Sequence, residues 1–249
     1  MAKIFLERIT PTRENLSDFF SQFPDHQQRY EFTIKFLQPD FTVADVACGV
    51  GYGSWLMSKQ CAHVFGVDIS PDALAHARSN FQESNINFIH ADEFRFSKKF
   101  DLIISFETIE HMDEADGDDF LKNLRENLKN NGILVISTPI NKTNNKNNVT
   151  EFHVREYDDY EFPEKLKKNG FEVVDMYGQG SDFHKKLYGA ENKAGLFYFI
   201  KLGFHRFLPP VIRNFIKKIL LGSPNEGLSI KKEDWRSSMI QIAVCKIKE

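Results

Sequence analysis

The chain has 249 residues, 41% of them hydrophobic and 27% charged, enough to bury the core of one large domain or two smaller ones. Its 32 Lys and Arg against 35 Asp and Glu leave a formal charge of −3, which lacks the basic footprint of a dedicated nucleic-acid binder. The three widely spaced cysteines, Cys48, Cys61 and Cys245, exclude a disulfide framework and a zinc ribbon.

Lys3, Glu7 and Arg8 interrupt what would have to be the apolar run of a secretory signal, so a cytoplasmic protein with reduced thiols is expected. The most apolar region, Ala194 to Leu221, is broken by Lys201, Arg206, Pro209, Pro210, Arg213, Lys217 and Lys218 and is not an ordinary transmembrane helix.

Residues 13–37 carry apolar positions at helical spacing around Pro24 and read as helices forming a lid or an edge cap. From Thr42 onward, short apolar runs alternate with helical patterns, the mark of βα units feeding a parallel sheet covered on both faces. The predicted strands are Val43 to Ala47, His63 to Val67, Asn87 to His90, Leu102 to Phe106, Ile133 to Ser137, Glu172 to Met176 and Met239 to Lys246. Between them the pattern predicts helices over Gly53 to Lys59 and over Pro71 to Phe81, with Ser70 as N-cap and Pro71 in the first turn. Two more follow: Asp118 to Leu128, closed by Asn130-Asn131-Gly132, and Asp158 to Lys168, stopped at Asn169-Gly170.

The expected architecture is therefore a Rossmann-like α/β fold: a seven-stranded, mostly parallel sheet with helices on both faces. A helical cap (1–38) precedes the core (39–180), a partly helical insert (181–236) follows, and the last strand (237–249) closes the sheet. Asn141 to Asn148 reads as a loop. Residues 181–222 hold eight Lys or Arg against Asp182 and Glu191, a local charge of +6. This insert is read either as a plain subdomain, as a surface for peripheral contact with anionic lipid, as a homodimer interface, or as a cover over an acidic substrate.

The strongest local signal is Asp45-Val46-Ala47-Cys48-Gly49-Val50-Gly51-Tyr52-Gly53, a strand end followed by three glycines at every second position and then a helix. Glycines there let a ligand approach the backbone closely. A dinucleotide fingerprint spaces them G-x-G-x-x-G, whereas here the spacing is G-x-G-x-G. Asp68, ending the second strand, is a carboxylate able to accept both hydroxyls of a ribose. Asp92 ends the third.

With Asp45 four residues before the first glycine, this motif resembles the first motif of class I S-adenosylmethionine-dependent methyltransferases. The likeness spans roughly residues 24–178. SFETIEH (Ser105 to His111), GVDIS (Gly66 to Ser70), the Ser137-Thr138-Pro139 strand ending, His26 to Phe32 and Glu151 to Tyr157 resemble bacterial methyltransferases associated with cell-surface polysaccharide and glycan biosynthesis. The resemblance implies S-adenosylmethionine as cofactor. It also implies a donor pocket of Arg29, Tyr30, Asp45, Gly49, Gly51, Gly53, Asp68, Ile69, Asp92, Glu93 and Phe106, with Asp92 against the adenine amino group and Arg29 on the methionine carboxylate.

Methyl transfer is an in-line displacement, so positioning and water exclusion dominate, but an aliphatic hydroxyl acceptor must also lose its proton. His153 and His111 are the candidate bases, His153 preferred, with Glu107 beside them. Glu107, Glu110 and His111 also resemble the metal-holding E-x-x-E-H cluster of ubiquinone-biosynthesis O-methyltransferases. For this trio a magnesium site is the less favoured reading, since spacing alone over-predicts metal sites. The function expected is O-methylation of a sugar or glycan hydroxyl. The alternatives are a small-molecule methyltransferase with a phenolic, quinone-like or amine acceptor, or a non-catalytic nucleoside- or partner-binding protein.

Overall fold

The computed structural model describes residues 10–96, 99–142, 153–180, 230–232 and 235–248. Seven strands form one sheet: β1 (Thr42–Val46), β2 (His63–Asp68), β3 (Ile86–His90), β4 (Phe100–Phe106), β5 (Leu128–Pro139), β6 (Phe171–Gln179) and β7 (Ile240–Ile247). Their spatial order is β3-β2-β1-β4-β5-β7-β6, with all pairings parallel except those of β7, which is antiparallel to β5 and β6. Each predicted strand is present, with ends shifted by a few residues.

Alternation along the strands feeds two separate cores. Val43, Val64, Leu102, Ile104, Val135 and Ile242 point to one face, packed under helices α1 (Leu16–Gln22), α2 (Pro24–Ile34), α3 (Tyr52–Ser58) and α4 (Pro71–Phe81). Ala44, Val46, Phe65, Ile103, Leu134 and Ile136 point to the other, packed under α5 (Glu114–Asn127) and α6 (Glu161–Lys168). Period-two side-chain direction in strands apolar on both sides produces this two-faced burial.

The chain steps outward from β1 to β3, then returns to β4 on the other side of β1. This reversal opens a crevice at the C-terminal ends of β1 and β4, where open α/β sheets bind ligands.

Local signals act as their chemistry dictates. The Ser70 hydroxyl accepts from Ala73 N at 3.2 Å and Pro71 opens α4. Gly170, with φ of +84°, ends α6. Three helix boundaries differ from expectation, the first being the start of α6, at Glu161 where Asp158 is expected. Helix α5 starts a turn earlier than predicted, because the Asp113 side chain accepts from Asp116 N and the acidic first turn suits a helix N-terminus. Asn130-Asn131-Gly132 does not close that helix in a turn. Leu128 already has extended geometry, and these residues lie inside β5, where the register with β4 shifts between Phe100 and Leu102.

The N-terminal helices cover α3, which itself lies over β2 and β3, and Arg29 of α2 reaches Gln179 at the end of β6. Of the basic insert, only residues 230–232 and 235–236 are described; its proposed lipid, dimer and substrate contacts lie outside the described residues, as do most of the Asn-rich loop and Glu151-Phe152. Among the described residues, no helix is long and apolar enough to cross a membrane.

Candidate active site

The loop after β1 is built by its glycines, but each does a different job. Gly49 has φ of +54°, and a β-carbon there would meet nothing within 4 Å, so its flank faces open space. Gly51, at φ +90°, lies so close to α4 and β3 that a β-carbon would come within 2.6 Å of Ala77 and 2.8 Å of Phe88. Gly53 is overlain by the ring of Tyr30. Gly49 thus leaves an open flank, while the absent side chains of Gly51 and Gly53 permit close packing, one against the sheet and one against the cover.

Asp68 ties the second strand to this loop, its Oδ2 accepting from Gly49 N at 2.8 Å and its Oδ1 from Ser70 N at 2.9 Å. A carboxylate has about four acceptor positions, so hydroxyl-binding capacity remains. Beside it Ile69 is 76% exposed, an unusual position for a large aliphatic side chain. The Asp92 side chain is 89% exposed in the turn after β3, 3.3 Å from His90 Nδ1. Glu93 is turned back instead, accepting from His90 N at 3.2 Å.

Asp45 is buried beneath the loop, accepting from Ser54 Oγ at 2.7 Å and from Tyr30 OH at 3.4 Å. Burial pushes its carboxyl up to about 7, opposed by the Ser54 and Tyr30 hydrogen bonds. It braces the loop from below instead of facing open space. Arg29 is 3% exposed, donating to Gln179 Oε1 at 2.8 Å and pairing with Asp25 at 3.4 Å. The carboxylate it holds here is that of Asp25, four residues earlier on α2. Tyr30 packs its ring edge to face with Phe106, centroids 5.3 Å apart, joining the cover to the end of β4.

Past β4 the chain turns sharply: Glu107 has φ of +51°, its N donates to Ser137 O, and its Oε1 accepts the Ser137 hydroxyl at 2.7 Å. A 3₁₀ turn, Ile109–His111, follows. Glu110 is fully buried, its Oε2 accepting from Thr138 Oγ1 at 3.0 Å while its Oε1 has no hydrogen-bond partner. Burial, and then the charge of Glu107, raise its carboxyl well above the ordinary range.

The Glu110 carbonyl accepts from both Val154 N at 2.8 Å and Arg155 N at 3.0 Å, which seats the His153 segment on this turn. His153 and His111 meet edge to face with centroids 5.1 Å apart, and His153 Nδ1 lies 2.7 Å from Glu156 Oε1.

The E-x-x-E-H trio is thus not what converges. Glu110, His111 and His153 bring ligand atoms within 4.8 Å of one another, whereas Glu107 turns to Ser137. With no cation beside it, Glu110 is held toward its protonated form by burial, and a bound cation would favour the ionised one. Ser54 and Gln179 are contributors that the sequence reading gave no role, while Ser137, Thr138 and Glu156 stood in it only within the Ser137-Thr138-Pro139 and Glu151 to Tyr157 motifs. Glu156 carries a further signal, its spacing of three from His153.

Residues 43–132, from β1 into β5, match the family model described as a methyltransferase domain. Three relatives match parts of the chain. A malonyl-[acyl-carrier protein] O-methyltransferase of Acetivibrio thermocellus is 33% identical over 39% of this chain and 35% of its own length. A probable S-adenosylmethionine-dependent methyltransferase of Mycobacterium tuberculosis is 30% identical over 61% and 57%. A ubiquinone biosynthesis O-methyltransferase of Pelagibacter ubique is 36% identical over 40% and 42%. The chain thus spans between about a third and three fifths of the length of these relatives.

Two solved structures extend the likeness along nearly the whole chain. An S-adenosylmethionine-dependent methyltransferase from Clostridium acetobutylicum superposes with a TM-score of 0.57 at 14% identity, covering 95% of this chain and 99% of that one. Magnesium protoporphyrin IX methyltransferase from Synechocystis, with bound S-adenosylhomocysteine, gives 0.56 at 16% identity over 91% and 84%. At such identities the likeness is one of fold, and the fold is that of methyltransferases using S-adenosylmethionine.

Proposed function

We propose that this protein is an S-adenosylmethionine-dependent O-methyltransferase whose acceptor is the hydroxyl of a small molecule. The observation that carries the reading is the placement of two built clusters at one end of the sheet. One is the Gly49–Asp68 loop with its open flank; the other is the His153, His111 and Glu156 group beyond β4.

The donor-side residues fit the cofactor. Asp68 retains acceptor capacity for ribose hydroxyls, exposed Ile69 offers an apolar surface for a base, Asp92 can accept from an exocyclic amine, and Gly49 leaves room for close approach. When bound, the cofactor supplies an electrophilic methyl carbon on a sulfonium centre. The protein orients the two reactants, and Tyr30 and Phe106 exclude water beside the loop. His153 takes the proton of the acceptor hydroxyl.

A small-molecule acceptor suits the relatives better than a glycan. Two of them are named for malonyl-acyl carrier protein and ubiquinone biosynthesis, and neither name includes a polysaccharide. A glycan hydroxyl would call on the same base.

Incubation with methyl-labelled S-adenosylmethionine, using catechol and methyl glucoside as acceptors, tests the reading. Label in catechol that Asp68→Ala abolishes is expected. Transfer to the glucoside alone would move the acceptor to sugars. Transfer to neither, with no binding of S-adenosylhomocysteine, would overturn the assignment.

A further inference from the structure

We infer that Glu156 is the positioning residue of the acceptor site: it fixes the His153 imidazole in the tautomer that leaves Nε2 as a proton acceptor. The inference rests on the methyltransferase reading and narrows its substrate class to acceptors that surrender a proton as they are methylated, hydroxyls among them, rather than carboxylates that arrive already ionised.

Glu156 Oε1 lies 2.7 Å from His153 Nδ1, and both side chains are largely shielded, 12% and 18% exposed. An ionised carboxylate only accepts, so the proton of a neutral imidazole sits on Nδ1 and the lone pair on Nε2. The segment is held from behind as well, because the Glu110 carbonyl receives the N–H groups of Val154 and Arg155, on either side of which His153 and Glu156 lie. Arg155 reaches away to Glu114, leaving the Glu156 carboxylate to the imidazole. His111 packs edge to face on the ring and limits its rotation.

In the step this arrangement serves, the acceptor oxygen forms a C–O bond to the methyl carbon as the carbon–sulfur bond breaks. The electron pair of that bond goes to sulfur, which becomes a neutral thioether. The hydroxyl proton passes to His153 Nε2, and the resulting imidazolium is balanced by the Glu156 carboxylate until the proton leaves to solvent.

The test reads the tautomer directly, through long-range proton–nitrogen NMR correlations on full-length protein carrying ¹⁵N-histidine. Spectra are taken at a pH where the ring is neutral, and His153 is assigned by its absence in His153→Asn. The wild type is expected as the Nδ1–H form. Glu156→Gln keeps the size but adds an amide donor, and should raise the Nε2–H population from below about a tenth to above about a third. Glu156→Asp, which can only accept, should retain Nδ1–H and serves as the second variant if the Gln protein does not fold. A merely structural hydrogen bond would survive in the Gln variant with the tautomer unchanged.

An Nε2–H wild type, a Gln variant indistinguishable from it, or an Asp variant that loses the Nδ1–H form overturns the inference. The readout needs no methyl transfer. Titration of the same samples with S-adenosylhomocysteine therefore separates failure of the dyad from failure of the functional reading.

Discussion

The ring of Tyr30 occupies the space that a β-carbon on Gly53 would need: such an atom would lie 1.9 Å from Tyr30 Cζ. The absence of a side chain at Gly53 is what lets α2 close onto α3, and with it Tyr30 reaches Asp45 and Phe106. Gly53→Ala should therefore expel the ring, destabilising the protein by about 1–3 kcal/mol in urea unfolding. In a Tyr30→Ala background the same change should cost at least about 1 kcal/mol less, because the two positions share one contact. Additive effects would contradict the packing described.

The neighbouring glycines should separate binding from stability. Gly49→Ala meets open space and bears only the strain of its positive φ, so its thermal midpoint should fall by no more than a few degrees while affinity for S-adenosylhomocysteine falls at least about tenfold. Gly51→Ala drives a β-carbon into Ala77 and Phe88 and should unfold at markedly lower temperature. Calorimetry and ligand titration on the two variants check the contrast.

Asp45 makes stability depend on pH in a defined direction. Its folded-state value of about 7 lies above that of an unfolded aspartate, so the folded protein holds the proton where the unfolded chain has lost it. Stability is then fullest below pH 4, falls as pH rises through the window from about 4 to about 7, and levels off above it. Asp45→Asn removes this term. Its stability relative to wild type should rise by on the order of 3 kcal/mol between pH 4.5 and 7.5. Urea unfolding at several pH values measures it, and a pH-independent difference would contradict the buried, proton-holding environment.

His153 carries the acceptor chemistry in this account. His153→Ala should lower kcat about 100-fold or more for any hydroxyl acceptor that takes up label, with affinity for S-adenosylhomocysteine changed less than about twofold. His111→Ala should cost less, since its ring buttresses His153. Equal losses would make the pair act as one unit.

The sheet was legible from residues alone because its strands are near-continuous apolar runs, and α4 because Ser70 and Pro71 mark its start. The start of α5 was obscured by a run of acids from Asp113 to Asp119, any of which can cap a helix. Within the candidate site, the meeting of Gly49 and Asp68 follows from their places at the ends of neighbouring strands. The separate jobs of Gly51 and Gly53 were not legible, because close packing depends on Phe88 and Tyr30, distant in sequence. Arg29 meets Gln179, 150 positions away, a contact that no local pattern encodes. Glu107 and Glu110 stand together in the E-x-x-E-H run, but in the fold, where Glu107 has a positive φ, the one meets Ser137 and the other Thr138.

Isothermal titration of the wild type with S-adenosylhomocysteine, repeated with Asp68→Ala and with NAD as counter-ligand, tests the central claim most directly. Micromolar binding of S-adenosylhomocysteine, weakened at least about tenfold by the substitution and not matched by NAD, is the predicted result. No binding of S-adenosylhomocysteine, or equal binding by the Asp68→Ala protein, would contradict the donor site on which the account rests.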